Sequence, residues 1–301
     1  LLAEAIKRIH NEESVSSLIL IRGDFDLNQQ LLTADLNLHD IDFLQFQPYY
    51  NFPFNLKSGL AKEVNLRIAA QKNRLTVSGR IETKNIAIDK TPYHIKGDCL
   101  IQTNVSVNPV RDKTSETPDG GIWRSVSNGV NPGNLSYDGS IEIADAAITG
   151  DPLLQNINQI KGIINFNEKG IKTDNLEGIT HQTIIRAKGT ITDFINPRIE
   201  AKIFSSPSLE KLQEIFSDQL RDWNFTAEGR TQLLLEINGP LNETNNLTIK
   251  GNAEISGANL NLPQLPQPFK DLEGRIEFDS NSVRWKKLSA DYSGTTYVCE
   301  G

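Results

Sequence analysis

The residues best able to do chemistry are few and poorly grouped. Four histidines, His10, His39, His94 and His181, are scattered, and no two stand at metal-ligand spacing. Asp35, His39, Asp40 and Asp42 crowd one stretch that could gather a cation, but the same pattern suits a solvated strand edge entering a helix. Carboxylates such as Glu142, Glu254 and Glu277 fall at the outward positions of alternating segments, and nothing pairs them for glycoside hydrolysis. Nucleophile elbow, phosphate loop and dinucleotide fingerprint are all missing. Cys99 and Cys299 lie about two hundred residues apart, which excludes a disulfide framework and a zinc knuckle. Cys99 reads as a small hydrophobe in a core register. The expectation is a non-enzymatic protein with neither cofactor nor metal.

The elements that would carry such residues follow from composition and period. The hydrophobic fraction is 38% and the net charge −7 over 301 residues, with no basic stripe to neutralise phosphates, so nucleic acid is not an expected partner. The chain holds no methionine, and its last residues read as a strand. We therefore expect an internal piece of a longer protein, whose targeting segments lie elsewhere. Apolar residues recur two apart, as in Ser140-Ile141-Glu142-Ile143, Gln232-Leu233-Leu234-Leu235-Glu236-Ile237 and Arg275-Ile276-Glu277-Phe278. Gly, Asn, Asp and Pro break these runs into about sixteen strands of ordinary length. Helical pattern is confined to residues 1–10 and to a segment from Pro207 to Leu220, with Ser206 as the expected N-cap and Pro207 at the first helical position. These read as lids or plugs on a sheet. Residues 108–134 lose all pattern and read as a flexible loop, in which Trp123 is a local anchor or a partner contact.

Laid on itself, the chain repeats. Gly139 and Gly162 are 23 residues apart, as are Gly251 and Gly274. With these superposed, Ile143 meets Ile255, Ile148 meets Leu260, Ile160 meets Leu272, Ile164 meets Ile276, Phe166 meets Phe278 and Ile171 meets Val283 without a gap. A fainter copy starts at Gly79 and Ile88, with a connecting loop five residues shorter, and brings Ile95, Gly97, Cys99 and Ile101 into register. The organisation expected is a β-repeat segment over 1–107, the loop 108–134, and a segment over 135–301. That last segment holds two units, at about 139–180 and 251–294, joined by strands and the helix near 207–220. Such a unit cannot bury its own apolar face, so neighbours must stack. Some sixteen strands at about 4.8 Å each span roughly 75 Å, too long for a flat sheet.

Gly251 to Leu260, followed by Pro268-Phe269-Lys270-Asp271-Leu272-Glu273-Gly274-Arg275-Ile276-Glu277-Phe278, resembles the AsmA-like superfamily of bacterial envelope proteins, which includes large proteins of the translocation and assembly module. Leu36 to Leu44 with Pro48-Tyr49-Tyr50, leading to a glycine-led strand near Gly59, resembles the short helical insertions of that group, as does Gly189 to Asp193 leading to Pro197. The resemblance implies a mainly β fold: an elongated, curled and twisted antiparallel sheet, a taco-like groove lined with apolar side chains. It also implies a periplasmic setting, an inner-membrane anchor in segments outside these residues, phospholipid acyl chains as partners, and a link to outer-membrane assembly. It carries no catalytic residues. The candidate lining is Ile143, Ile164, Phe166, Ile171, Leu233, Leu235, Ile255, Ile276, Phe278, Val283 and Trp285.

Three readings compete on these residues. One is a lipid conduit between inner and outer membranes. Another is a periplasmic scaffold that captures outer-membrane strands along a sheet edge. The third is a secreted solenoid with a closed core, for which Trp123 and Trp223 are the sole hints of an outer binding patch.

Overall fold

The computed structural model describes residues 19–45, 55–71, 74–107, 135–151, 155–215, 225–279 and 281–301. The expected helix over 1–10, the loop 108–134 with Trp123, and Trp223 lie outside them. Among the described residues, fifteen strands form one open antiparallel sheet in unbroken sequence order. The first seven are β1 (Ile19–Asp26), β2 (Leu31–Asp42), β3 (Asn55–Gln71), β4 (Arg74–Lys90), β5 (Tyr93–Val107), β6 (Leu135–Asp151) and β7 (Gln155–Asn167). Then come β8 (Gly170–Thr180), β9 (Thr183–Thr192), β10 (Arg198–Ser205), β11 (Thr226–Pro240), β12 (Thr248–Asn261), β13 (Phe269–Asp279), β14 (Val283–Tyr292) and β15 (Thr295–Cys299). Two compact units divide the chain: Leu1–Ala144 with Asn165–Glu168, and Asp145–Ile164 with Lys169–Gly301.

Period two becomes two faces because residues opposite one another on paired strands point the same way. In the first unit the rows Phe25–Leu32–Ala70–Leu75–Val107 and Gly23–Ala34–Ile68–Val77–Val105 are wholly apolar. The next row beyond Gly23, Arg22–Asp35–Arg67–Ser78–Asn104, is polar. The same rule orders the second unit.

The repeat seen in sequence is a repeat of geometry. The β8–β9 hairpin turns through His181 and Gln182 at φ 47° and 62°, and β14–β15 turns through Ser293 and Gly294 at 54° and 80°, 112 residues on. Both turns have two consecutive left-handed residues, the signature of the tight hairpins that match strand twist. Gln159 and Asp271, again 112 apart, share a left-handed φ of 52° and 50°. The fainter copy joins them at its bulge: β4 skips between Thr83 and Ile86 around Asn85 at φ 52°, and β12 skips between Ile255 and Ala258 around Gly257 at φ 57°.

Among the described residues there is one α-helix, α1 (Leu209–Ile215), and it starts later than the sequence suggests. Pro207 does not open it. Its carbonyl accepts hydrogen bonds from the Thr231 backbone N–H (3.2 Å) and hydroxyl (2.7 Å), so this residue still pairs along β11. Ser208, not Ser206, is the cap: its hydroxyl accepts from Lys211 N at 3.4 Å, and its carbonyl takes the first helical bond, from Leu212. The expected stretch Leu36 to Leu44 is strand as far as Asp42, followed by a 3₁₀ turn over 43–45. The Asp42 carboxylate accepts from Leu44 N at 2.9 Å there.

A candidate apolar binding face

In the second unit, neighbouring strands align into three largely apolar rows, two across seven strands and one across five. The first is Leu176–Ala187–Ile203–Leu235–Gly251–Phe278–Val283, with no polar side chain in it. Beside it runs Gly178–Ile185–Ser205–Leu233–Ala253–Ile276–Trp285, and on the other side Thr173–Gly189–Ala201–Ile237–Ile249. Six expected lining residues, Leu233, Leu235, Ile276, Phe278, Val283 and Trp285, therefore share one face. Ile171 stands at its margin, opposite Ile191, which in turn faces Ile199. Ile164 is half-buried on β7.

Glycine shapes the first row. Gly251 lies directly under the Phe278 ring: a Cβ there would come within 2.6 Å of Phe278 Cε2 and 2.9 Å of Leu235 Cδ2. The ring thus lies down over the strand beside it instead of standing up from the sheet. In the first unit Gly139 and Phe166 make the same pair, with a Cβ at Gly139 falling 2.6 Å from Phe166 Cζ, and the ring also tilts against Tyr137 at 6.4 Å between centroids. Ile143, on the same strand as Gly139, is half-buried.

The face is bare in one part and covered in another. Val283 is 60% exposed and Trp285 39%, large values for apolar side chains in register with a sheet's greasy rows. Ile255 departs from the expectation of an open lining position. It is 8% exposed, opposite the buried Thr231 and near Ala227 and Ala258, which are 7% and 0% exposed. This is where α1 docks on β11: the side-chain amide of Gln213 donates to the Phe225 carbonyl, and its oxygen accepts from Ala227 N at 3.4 Å. Ile255 is therefore packing, not lining.

The first unit has the same division. Leu38, Ile41, Ala61 and Val64 form a buried cluster against Phe43, Leu66 and Ile81, while Phe25 (57% exposed), Ile21 and Leu32 lie bare. Sequence reasoning passed over this second bare stretch, although its signal was present: Ile19, Ile21, Gly23 and Phe25 alternate like any other lining run. It also missed Ile203, Ala187 and Leu176, whose place in the first row depends on register across β8 to β11. Cys99 stands opposite the buried Thr83, whose hydroxyl lies 3.1 Å from the Cys99 sulfur and 2.8 Å from its carbonyl oxygen.

The opposite face is a lattice of ion pairs. Lys202 meets Glu236, Lys286 meets Glu277 at 2.9 Å, and Glu177 takes both Arg186 (2.9 Å) and Lys161 (3.0 Å). These partners hold the carboxyls of Glu177, Glu236 and Glu277 below the usual glutamate range, through hydrogen bonds to their lysines and arginines first. Each of these outer-face carboxylates is thus committed to a basic neighbour. Among the described residues no group of three or more His, Cys, Asp or Glu is arranged to hold a metal. The crowded Asp35–Asp42 stretch is dispersed along β2: Asp40 pairs with Lys62 at 2.8 Å and Asp35 reaches Arg67 at 4.0 Å. No described helix is long and apolar enough to cross a membrane. Compared with known proteins, the chain matches no family description, no curated protein and no solved structure.

Proposed function

We propose that the bare rows hold phospholipid acyl chains and let them move across the strands, with no covalent step. The observation that carries this reading is the first row of the second unit: seven strands without one polar side chain, ending on a Val283 that is 60% exposed. Six steps of about 4.8 Å make that row about 29 Å long. One leaflet of a hydrocarbon core of about 30 Å contributes roughly half that thickness. A single chain therefore fits with room to slide. Each methylene laid on the row instead of in water gains about 0.8 kcal/mol, so a track whose apolar surface is unbroken moves a chain without a large aqueous barrier. The resemblance to AsmA-like envelope proteins supports the same reading and would place the chain in the periplasm, anchored through residues outside this sequence.

The test is native mass spectrometry of the chain purified from cells, with lipid extraction alongside. Phospholipid should co-purify, and Phe278→Asp should remove it while the far-ultraviolet circular dichroism stays that of the parent. A lipid-free parent chain, or a Phe278→Asp variant that retains its lipid, overturns the proposal.

A further inference from the structure

The connections at the two rims of the second unit's sheet are built differently. One rim carries α1 and the connection after β12, whose apolar residues Leu209, Leu212, Ile215, Leu262 and Leu265 are all partly buried. The other rim carries the β9–β10 connection from Asp193 to Pro197, where Phe194 is 48% exposed and Ile195 85%. Ile249 near the start of β12 and Val283 at the start of β14 are exposed on that same rim, as the pairings Arg198↔Pro240, Asn238↔Thr248 and Lys250↔Asp279 require. The bare tip is firmly held. Asp193 takes a left-handed φ of 59°, and its carboxylate accepts from Ile195 N at 3.0 Å and Asn196 N at 3.2 Å. Its own N–H donates to the Lys169 carbonyl at 3.1 Å, and Leu241 N donates to the Pro197 carbonyl at 2.7 Å, which ties the loop to the connections on either side. Two adjacent bulky apolar residues fixed outward in this way add nothing to the fold's own burial and suit a surface outside the chain.

Charge selects that surface. The acids of the tip are already engaged, Asp193 by the loop amides and Glu243 by the Asn246 side chain. Arg198, exposed at the first position of β10, meets no acid among the described residues. An aromatic and an aliphatic side chain on a convex tip, with a free guanidinium beside them, match the interface of a bilayer. There apolar side chains enter the acyl boundary while cations meet lipid phosphates. We infer that the Phe194–Ile195 tip inserts into the surface of a bilayer bearing anionic phospholipid, with Arg198 on its phosphates. Behind the tip Ile191 faces both Ile171 and Ile199, so on the acyl-chain reading the tip stands where a chain would pass from a leaflet to the rows. The contact itself rests on the tip and does not require that reading.

The test is co-sedimentation of the whole chain with vesicles of phosphatidylcholine containing about one third phosphatidylglycerol. The parent should bind, and Ile195→Asp and Phe194→Asp should each weaken binding at least about tenfold while the far-ultraviolet circular dichroism stays that of the parent. Arg198→Ala should weaken it about threefold, and on vesicles of phosphatidylcholine alone it should bind as the parent does. Leu27 is the control for general stickiness: it is 80% exposed on the β1–β2 turn but flanked by Asp24 and Asp26. Leu27→Asp should change binding by less than about twofold, and so should Phe278→Asp, which disrupts the apolar rows. A parent that does not bind, an Ile195→Asp variant that binds as well as the parent, or an equal loss in Leu27→Asp or Phe278→Asp overturns the inference. Lipid extraction alongside keeps the two readings apart. A parent that co-purifies with phospholipid yet ignores vesicles overturns this inference and spares the acyl track, and a lipid-free parent that binds vesicles does the reverse.

Discussion

Ile255 and Phe278 belong to the same apolar face, on neighbouring strands, yet they live in different environments. Ile255 is buried with Thr231, Ala227 and Ala258 where α1 docks, in packing tight enough that Ala258 shows no surface at all. Phe278 lies on the open rows between Gly251 and the largely exposed Val283. The first environment resembles a core and the second a surface that keeps a core's composition. The first unit makes the same division by itself, between the cluster of Leu38, Ile41, Ala61 and Val64 and the bare stretch of Phe25, Ile21 and Leu32. On the proposed reading, stability and binding fall to different parts of one face. A sheet whose whole greasy side were bare would lack the buried contacts that fix it, and one wholly covered would have nowhere to bind.

The sharpest way to break this comparison is to truncate both parts. Ile255→Ala removes buried methylenes beside well-packed alanines and should cost about 2–4 kcal/mol. Val283→Ala alters a mostly solvated side chain and should stay within about 0.5 kcal/mol. Denaturant midpoints at constant slope give both values. Lipid retention should reverse the order, falling for Val283→Ala and persisting for Ile255→Ala under conditions where that variant is folded. Equal destabilisation by the two substitutions would remove the distinction between a packed and a bare part.

Much of this was legible before the structure. Alternation gave mainly β architecture with scarce helix, and the Gly139/Gly251 frame exposed a repeat that geometry reproduces at Gln159/Asp271 and at the two tight turns. What escaped the sequence has physical causes. Burial at Ile255 depends on where α1 lands, and that depends on Pro207 continuing to pair with Thr231, a long-range bond that no local pattern announces. The cap consequently falls at Ser208 instead of Ser206. Bulges at Asn85 and Gly257 shift which residues face inward within a strand, so period two read through them slips by one. The smallest members of the first row, Ala187 and Gly251, carry little hydrophobic signal of their own and became visible through register alone.

A smaller effect is expected at the glycine under the ring. Gly251→Ala places a methyl within 2.6 Å of Phe278 Cε2, so the ring must rise from the sheet into the row. The cost should be about 1–2 kcal/mol, the usual range for overpacking. Retention of lipid should fall more than stability does, because the lifted ring obstructs the track. Gly139→Ala should press on Phe166 in the same way and cost more, because its methyl would also fall 2.2 Å from the Gln102 carbonyl oxygen. If Gly251→Ala destabilised the fold yet left lipid retention unchanged, the Gly–Phe pair would be a packing device and the row no track.

The smallest effect separates the two faces instead of the two parts of one. The ion-paired carboxyls of Glu177, Glu236 and Glu277 are held below the ordinary glutamate value of 4.5 in the folded chain. A depressed folded value means the folded state binds fewer protons than the unfolded one. Their contribution is therefore present above the unfolded value and is lost as pH falls through the folded one. All three carboxyls lie at the solvent surface, so the drop in melting temperature below about pH 4.5 should be slight and should shrink further in salt. The three apolar rows contain no acid, base or histidine. Alkyl-chain affinity should consequently stay flat over the same window in which stability declines. A parallel loss of both would mean that the outer lattice holds the track in shape, and that the two faces do not act separately.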